Sequence, residues 1–226
     1  MRTNFVWFKR MLLKDYGVIS GFNELMFKQH TIIVGGSGTG KTILAKALMA
    51  LGPATGVKAN AHSGDTKMDI VVETDGQRDH IEKYRDLIFI DGESIDQGSV
   101  FFSIVNNQDL ATVTEVAQKV FGQLSSRKIN LKKELVSASL PVCERVCRVF
   151  AYLFAVREKL AIDLPLVLDS PFVRLDEEHK SRLVAFLKQQ PIQQIWLCQE
   201  RDLVKGCEPD YVLDHNEGGT RIRKVR

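Results

Sequence analysis

Residues 31–48 constrain the chain more than any other stretch. A strand-like apolar run, Thr-Ile-Ile-Val, leads into the pattern Gly-x-x-x-x-Gly-Lys-Thr and then into good helix formers. The bare pattern also occurs in glycine-rich turns that bind nothing, but a strand before it and a helix after it are the context that a phosphate-binding loop (P-loop) requires. The predicted loop comprises Gly35, Gly36, Ser37, Gly38, Thr39, Gly40, Lys41 and Thr42.

Such a loop binds anions because its glycines let backbone N–H groups point inward, beside the N-terminus of the following helix. We expect the Lys41 ammonium to reach the β- and γ-phosphates of a nucleotide, and the Thr42 hydroxyl to bind Mg²⁺. The stretch therefore predicts a site for a nucleoside triphosphate and its metal.

The composition is that of one α/β domain with a core and a small subdomain, since 44% of the 226 residues are hydrophobic. The formal net charge of +3 permits contact with nucleic acid or an acidic surface without arguing for either. No apolar run approaches the roughly 20 residues of a membrane span, and the first residues lack a signal-peptide core. We expect a cytoplasmic protein without a membrane partner.

The four cysteines, at positions 143, 147, 198 and 207, do not make a disulfide framework in a chain of this size. Cys143 and Cys147 can share a helix face. No His or further Cys stands near them at metal-ligand spacing, so the pattern favours packing over zinc binding.

Several further runs have the pattern of strands, namely residues 5–13, a short run after a break at 14–17, 57–61, 68–74, 87–90, 192–198, 211–213 and 221–225. We expect 57–61 and 68–74 to form a hairpin, and 81–85 to be a short link. The polar residues 91–97 then make a candidate active-site edge.

Tyr16 is open to two interpretations, stacking on adenine or simple packing.

Two segments have the spacing of amphipathic helices. The first is 109–124, which a basic segment at 127–133 follows. The second runs from Val142 to Lys159, and its predicted inner side carries Val146, Val149, Phe150, Leu153 and Phe154.

Asp169 ends a further strand-like run, Leu-Pro-Leu-Val-Leu-Asp. A P-loop needs a carboxylate at the end of a neighbouring strand to hold Mg²⁺ through water, and Asp169 is the best candidate. The alternative is a loop aspartate without such a role. Asp176, a few residues later, can cap the next helix.

Residues 165–179, Pro-Leu-Val-Leu-Asp-Ser-Pro-Phe-Val-Arg-Leu-Asp-Glu-Glu-His, resemble the Walker B and D-loop region of ABC-type ATPases of the SMC/RecF class. They look closest to the DndD-like branch and related DNA-repair ATPases, to which residues 89–93 and 14–18 are also similar. The resemblance implies an α/β P-loop NTPase fold, an ABC-type ATPase head with a central, mostly parallel sheet, an antiparallel β subdomain and a short helical insertion.

The resemblance also implies one ATPase domain over residues 1–226. Its parts would be a P-loop lobe with the β subdomain (1–100), a helical part with a signature-like segment (101–160), and a Walker B lobe with a C-terminal hairpin (161–226).

In that class a signature segment precedes the Walker B strand, and its serine reaches the γ-phosphate held by the other protomer. Residues 134–145 occupy this place, and Ser137 or Ser139 would make the contact, helped by the helix N-terminus. The usual paired glycines are absent. Serines that only cap the helix are the alternative.

Other positions depart from the class. Ser170 stands where a glutamate normally polarises the attacking water, and a serine cannot be the general base unaided. Gln199 stands where the switch histidine is expected; it can hydrogen-bond a γ-phosphate but cannot carry a charge. Gln97 is our choice for the Q-loop residue beside Mg²⁺, with Asp91 and Glu93 as polar alternatives.

The resemblance thus implies a coil-less head, since the place where the class inserts its coiled coil has room only for the 109–124 helix and the basic segment. It implies slow ATP hydrolysis, a homodimer around two Mg-ATP, and action on DNA or with a DNA-processing partner. Basic clusters at 9–14, 127–133 and 221–226 agree with DNA, although such clusters are solvated faces more often than not. A nucleotide-switched scaffold with little turnover is the alternative; a transporter subunit or a small-molecule kinase fits the motifs less well.

Overall fold

The computed structural model describes residues 6–49, 67–74, 77–84, 87–90, 93–95, 110–125, 141–160 and 164–225. The chain divides into two compact units. Unit 1 comprises Met1–Phe102, Leu164–Pro171 and Ile192–Arg226, and unit 2 comprises Ser103–Asp163 and Phe172–Pro191. No helix in the described ranges is both long and apolar enough to cross a bilayer.

Where the structure describes unit 1, it is built on one sheet of eleven strands: β1 (Val6–Tyr16), β2 (Ile19–Met26), β3 (His30–Gly35), β4 (Lys67–Thr74), β5 (Gln77–Tyr84), β6 (Leu87–Ile90), β7 (Glu93–Ile95), β8 (Leu166–Asp169), β9 (Gln194–Cys198), β10 (Tyr211–Asn216) and β11 (Gly219–Lys224). Their order is β7-β6-β5-β4-β1-β2-β11-β10-β3-β9-β8. Helix α1 (Lys41–Met49) follows β3 directly.

The sheet is parallel at one end and antiparallel at the other. Strands β10, β3, β9 and β8 run parallel, and the register sets Val34 opposite Cys198 and Leu197 opposite Asp169. Strands β7, β6, β5, β4, β1 and β2 pair antiparallel. The antiparallel strands predicted as a subdomain therefore continue the same sheet, and the carboxyl ends of β3, β8 and β9 meet at one edge.

The predicted hairpin is wrong in its partner. Strand β4 pairs with β1 on one side and with β5 on the other, and residues 81–84, expected as a link, belong to β5. Residues 57–61 lie outside the described residues. Strand β5 was not predicted because its sequence, Gln-Arg-Asp-His-Ile-Glu-Lys-Tyr, is mostly polar and has no strand-like apolar pattern. Strand pairing uses backbone hydrogen bonds, which do not depend on the side chains.

The core of unit 1 packs β-strand side chains against the buried face of α1, which includes Leu44 and Leu48. Tyr16 belongs to this core and is only 3% exposed, and burial raises the pKa of its hydroxyl. Its placement supports the packing interpretation rather than stacking on adenine.

Three helices lie in the described residues of unit 2: α2 (Leu110–Leu124), α3 (Val142–Leu160) and α4 (Glu177–Lys188). On α3 the predicted inner side is wrong at one of its five positions. Phe150 and Phe154 are buried as expected, but Val149 is 65% exposed, and Cys147 and Ala151 take part in the core instead. The periodicity misled because α3 is apolar on two faces, so spacing alone could not tell which face is covered.

Helix α4 begins at the predicted cap. The Asp176 carboxylate accepts a hydrogen bond from the His179 backbone N–H at 2.9 Å and lies 2.7 Å from the His179 Nδ1. His179 Nε2 lies 3.5 Å from the buried carboxylate of Glu144, which in turn accepts from the Ser125 hydroxyl at 2.6 Å. A chain of polar contacts therefore ties the first turn of α4 to α3 and to the end of α2.

We expect Asp176→Ala to lower the free energy of unfolding by about 1 kcal/mol, as losing an N-cap usually does. Hydrogen bonds from His179 lower the pKa of Asp176, so the ionised cap stabilises fully above the carboxyl's ordinary pKa of 3.8, and this is lost as pH falls through the lowered value. Urea unfolding of both proteins between pH 7 and pH 2 measures this. Asp176→Asn keeps an acceptor and should lose less at pH 7. Equal losses would mean that a neutral acceptor cannot replace the carboxylate, and no loss in Asp176→Ala would mean that the cap contributes nothing.

The four cysteines are free. Cys147 is buried, its thiol lies 3.6 Å from the Leu124 carbonyl oxygen, and burial raises its pKa to about 12. Asp176 and His179 bring candidate ligand atoms within 4.8 Å of Cys143, a proximity that sequence spacing could not show. The Asp176 carboxylate and the His179 Nδ1 also contact each other directly, at 2.7 Å. The choice between packing and zinc binding stays a prediction.

Candidate nucleotide-binding site

The glycine-rich loop connects β3 to α1, and two of its glycines are required by their surroundings. A Cβ at Gly35 would lie 2.9 Å from the Leu213 Cβ, and one at Gly40 would lie 2.7 Å from a methyl of Val18. Gly40 also has φ +92°, which disfavours any side chain. Between them Gly36, Ser37 and Gly38 are exposed, while Thr39 is buried and donates to the Gly36 carbonyl at 3.0 Å.

The Lys41 ammonium is folded over the loop. It donates to the carbonyl oxygens of Gly35 at 2.8 Å and Gly36 at 2.5 Å, and the residue is only 7% exposed. Burial lowers the pKa of Lys41, and the Asp169 carboxylate acts in the opposite direction. Phosphate oxygens at the loop would replace these two carbonyls as acceptors of the same cation.

Thr42 and Asp169 meet across the sheet edge. The Thr42 hydroxyl, in the first turn of α1, donates to the Asp169 carboxylate at the end of β8, with 2.6 Å between the oxygens. Both side chains offer hard oxygen ligands, which Mg²⁺ prefers. The pair therefore fits a magnesium ion held between a hydroxyl and a carboxylate.

Ser170 stands next to this pair. Its hydroxyl donates to the other Asp169 oxygen at 3.1 Å, and its backbone N–H donates to the Leu197 carbonyl at 2.7 Å. Its φ of +54° places it in the left-handed region, which costs a residue with a Cβ about 1–2 kcal/mol. The serine at the expected position of the catalytic acid is thus held in a strained backbone conformation by its neighbours.

Gln199 lies at the same edge. It follows Cys198, whose register partner on β3 is Val34, so Gln199 is level with the start of the loop. It precedes a short 3-10 turn, Glu200–Asp202, and its side chain does not cap that turn.

Of the predicted site residues, the structure thus brings together the loop, Thr42, Asp169, Ser170 and Gln199. Gln97, Asp91, Ser137 and Ser139 lie outside the described residues. Glu93 begins β7, and only its backbone is described. The signature and Q-loop assignments stay predictions.

Asp202 is a residue near the site that sequence analysis missed. One of its carboxylate oxygens is buried and has no hydrogen-bond partner within the described part of the chain. Its negative charge acts to raise the pKa of Lys41, against the larger effect of burial. It acts in the same direction on Cys198, where burial is the main cause of a pKa raised to about 12. The only signal was a polar residue shortly after a buried strand, which is too common to be specific.

No protein-family model and no curated protein sequence matches the chain. Solved structures match over nearly its full length. An SMC head domain from Thermotoga maritima covers 97% of this chain and 99% of its own, at 19% identity and a TM-score of 0.70. An SMC head bound to the C-terminal domain of ScpA derived from Pyrococcus furiosus covers 98% and 96%, at 10% identity and 0.73. The recombination mediator RecF with ATP covers 100% and 99%, at 12% identity and 0.68.

These likenesses confirm the predicted fold. The chain has the α/β fold of the SMC head domains and of RecF, which is the fold predicted from the resemblance of residues 165–179.

Proposed function

We propose that the chain is an ATP-binding, slowly hydrolysing ATPase head that dimerises around Mg-ATP and acts on DNA or with a DNA-processing partner. The observation that carries the proposal is the meeting of three groups at one sheet edge: the P-loop with its folded-over lysine, the Thr42–Asp169 pair and Gln199. A structural turn would not need a buried lysine, a hydroxyl and a carboxylate converging there. The RecF neighbour was solved with ATP, which supports the same ligand here.

ATP binding follows from the charges of the site. The loop N–H groups and the N-terminus of α1 supply positive potential, and Lys41 adds a full charge. Thr42 and Asp169 would hold Mg²⁺, which neutralises phosphate charge when bound. Gln199 can donate a hydrogen bond to a terminal phosphate oxygen.

Slow turnover follows from Ser170 and Gln199. A general base must accept a proton from water, and a serine hydroxyl at the end of β8 does not do so at neutral pH. Gln199 can orient the phosphate but adds no charge. These two positions also favour the second candidate, a nucleotide-switched scaffold; turnover measured with and without DNA separates the two, because a scaffold keeps negligible turnover in both.

The domain organisation is part of the proposal. We propose that both units belong to one ATPase domain over residues 1–226, divided at 1–100, 101–160 and 161–226 as the sequence indicates, working in the cytoplasm. Two of the similar SMC head structures were solved bound to a domain of ScpA, which supports a protein partner for heads of this fold.

We expect Mg-ATP to convert the protein from monomer to dimer, because a γ-phosphate at the loop would be completed by the other protomer's signature serine. Light scattering with ATP, ADP and no nucleotide, each with and without DNA, measures the conversion. Ser139→Arg should abolish it by placing a bulky side chain at the interface, and Ser137→Arg tests the neighbouring register. If neither change alters ATP-dependent association, the serines are only caps and the dimer is not of this kind.

A further inference from the structure

Two basic clusters that are far apart in sequence lie on either side of β2. Lys14, near the end of β1, is directly opposite Phe22 of β2. On the other side, β11 runs parallel to β2 with Thr220 opposite Ile19, and it carries the exposed Arg221 and Arg223. The fold therefore brings cations from residues near both ends of the chain to the two flanks of one strand.

The side chain between these cations is an exposed aromatic ring. Along β2, Asn23 and Leu25 face the core, while Phe22, Glu24 and Met26 alternate outward. Phe22 is 69% exposed, the highest value among the large hydrophobic residues that the structure describes as exposed. We define the Phe22 patch as Phe22 with Lys14, Arg221 and Arg223.

The outward-facing residues beside Phe22 share one face of the sheet with it. On β1 the alternation buries Met11 and Leu13 and leaves Lys14 outward; directly opposite residues have Cβ atoms about 4.5–5.5 Å apart. On β11, Thr220 is buried and Ile222 packs against the core, so Arg221 and Arg223 alternate to the outer face. Arg223 also forms an exposed ion pair with Asp214 at 3.0 Å.

We infer that the Phe22 patch binds single-stranded DNA, with one base stacked on the Phe22 ring and the backbone phosphates between Lys14 and the β11 arginines. Aromatic rings on a basic sheet face bind single strands in this way because every base has a π-face, whereas the bases of a duplex are already stacked on each other. The inference rests on the proposed action on DNA and names the form of DNA that the sheet face recognises.

The apolar surface is too interrupted for a protein-docking patch. Met26 is 49% exposed but lies opposite Arg10, which forms an ion pair with Glu24 at 2.6 Å. The charged pair separates Met26 from Phe22 along the strand. An isolated ring between cations suits a base and two phosphates better than an apolar partner surface.

The test uses the full chain with fluorescein-labelled dT12 and a 12-base-pair duplex, by anisotropy, with and without Mg-ATP. Phe22→Ala should weaken dT12 binding about 10-fold, the usual worth of one stacked base, and should change duplex binding less than about 2-fold. Phe22→Trp should restore dT12 binding. Met26→Ala is the matched control, an exposed apolar residue on the same strand and face, and should bind dT12 as the wild type does.

Salt and the charged residues give the second readout. Affinity for dT12 should fall as KCl rises from 50 to 200 mM. Arg221→Ala should reduce the slope of log affinity against log salt concentration by the amount expected for about one phosphate contact. Phe22→Ala should leave the dependence unchanged, because stacking is uncharged. Thermal unfolding of each variant shows that the fold is retained.

The outcomes separate this inference from the proposed function. Unchanged dT12 binding by Phe22→Ala, an equal loss for the duplex, or no rescue by tryptophan overturns the single-strand site while leaving DNA as a ligand. No binding of either DNA at low salt overturns the inference together with the DNA part of the proposed function, and ATP-dependent dimerisation is then judged separately.

Discussion

Replacing Lys41 with alanine is expected to weaken ATP binding by at least about 100-fold. The ammonium is held beside the loop by the Gly35 and Gly36 carbonyls, so it is already placed where phosphates would bind. Each charge-assisted hydrogen bond to an ion contributes about 1.5–3 kcal/mol, and Lys41 is expected to make two, to the β- and γ-phosphates. The affinity for ADP should fall less than the affinity for ATP, because ADP has only the β-phosphate for Lys41 to contact.

Isothermal titration calorimetry with Mg-ATP and Mg-ADP measures this effect. Lys46→Ala is the matched control, because Lys46 is an exposed lysine further along the same helix and should bind as the wild type does. Far-UV circular dichroism checks that the Lys41 variant is folded, since its removal also takes a donor from two carbonyls. Wild-type affinity in a folded Lys41→Ala protein would remove the basis of the proposed nucleotide site.

The placement of the glycine-rich loop and of Asp169 was predictable because the proposed chemistry dictates both residue type and position. A glycine is needed where the Gly40 backbone is left-handed and close to Val18, and a metal site would need an acid at a strand end, where Asp169 contacts Thr42. Local capping was predictable for the same reason, since Asp176 needs only a backbone N–H three residues later.

Features that depend on which surface is covered could not be predicted. Helix α3 has apolar residues on two faces, and only packing decides that Val149 is exposed while Ala151 is buried. Strand β5 is polar and is defined by its pairing with β4.

Long-range juxtaposition was equally hidden from the sequence. Nothing in it indicates that Arg221 lies on the strand next to Phe22. The hydrogen bond from the Ile222 backbone N–H to the Asn23 side chain joins these strands across a sequence separation of 199. The same holds for the effect of the Asp202 charge on the pKa of Lys41, since the strand order rather than local spacing brings the end of β9 to the loop.

Ser170→Glu is expected to raise the rate of ATP hydrolysis. The wild type should turn over well below the enzyme median of about 10 s⁻¹, because no acid follows Asp169 to take a proton from water. A positioned general base contributes about 10²–10⁴-fold, which sets the upper limit of the gain. The backbone there is left-handed already for a serine, so a glutamate adds little extra strain beyond its longer side chain.

Measurement of kcat and ATP affinity for the wild type, Ser170→Glu and Ser170→Gln tests this directly. Glutamine has the size of glutamate without a basic carboxylate, so it should not raise kcat. It should also show whether lost affinity in the glutamate variant comes from charge beside the phosphate or from bulk. In both variants the hydrogen bond from Ser170 to Asp169 is lost, so any common change reports on that contact. Fast hydrolysis by the wild type would contradict the prediction and would place the general base elsewhere, at Glu93 or Glu177. Ser170 would then be only a hydrogen-bond donor that orients the carboxylate of Asp169.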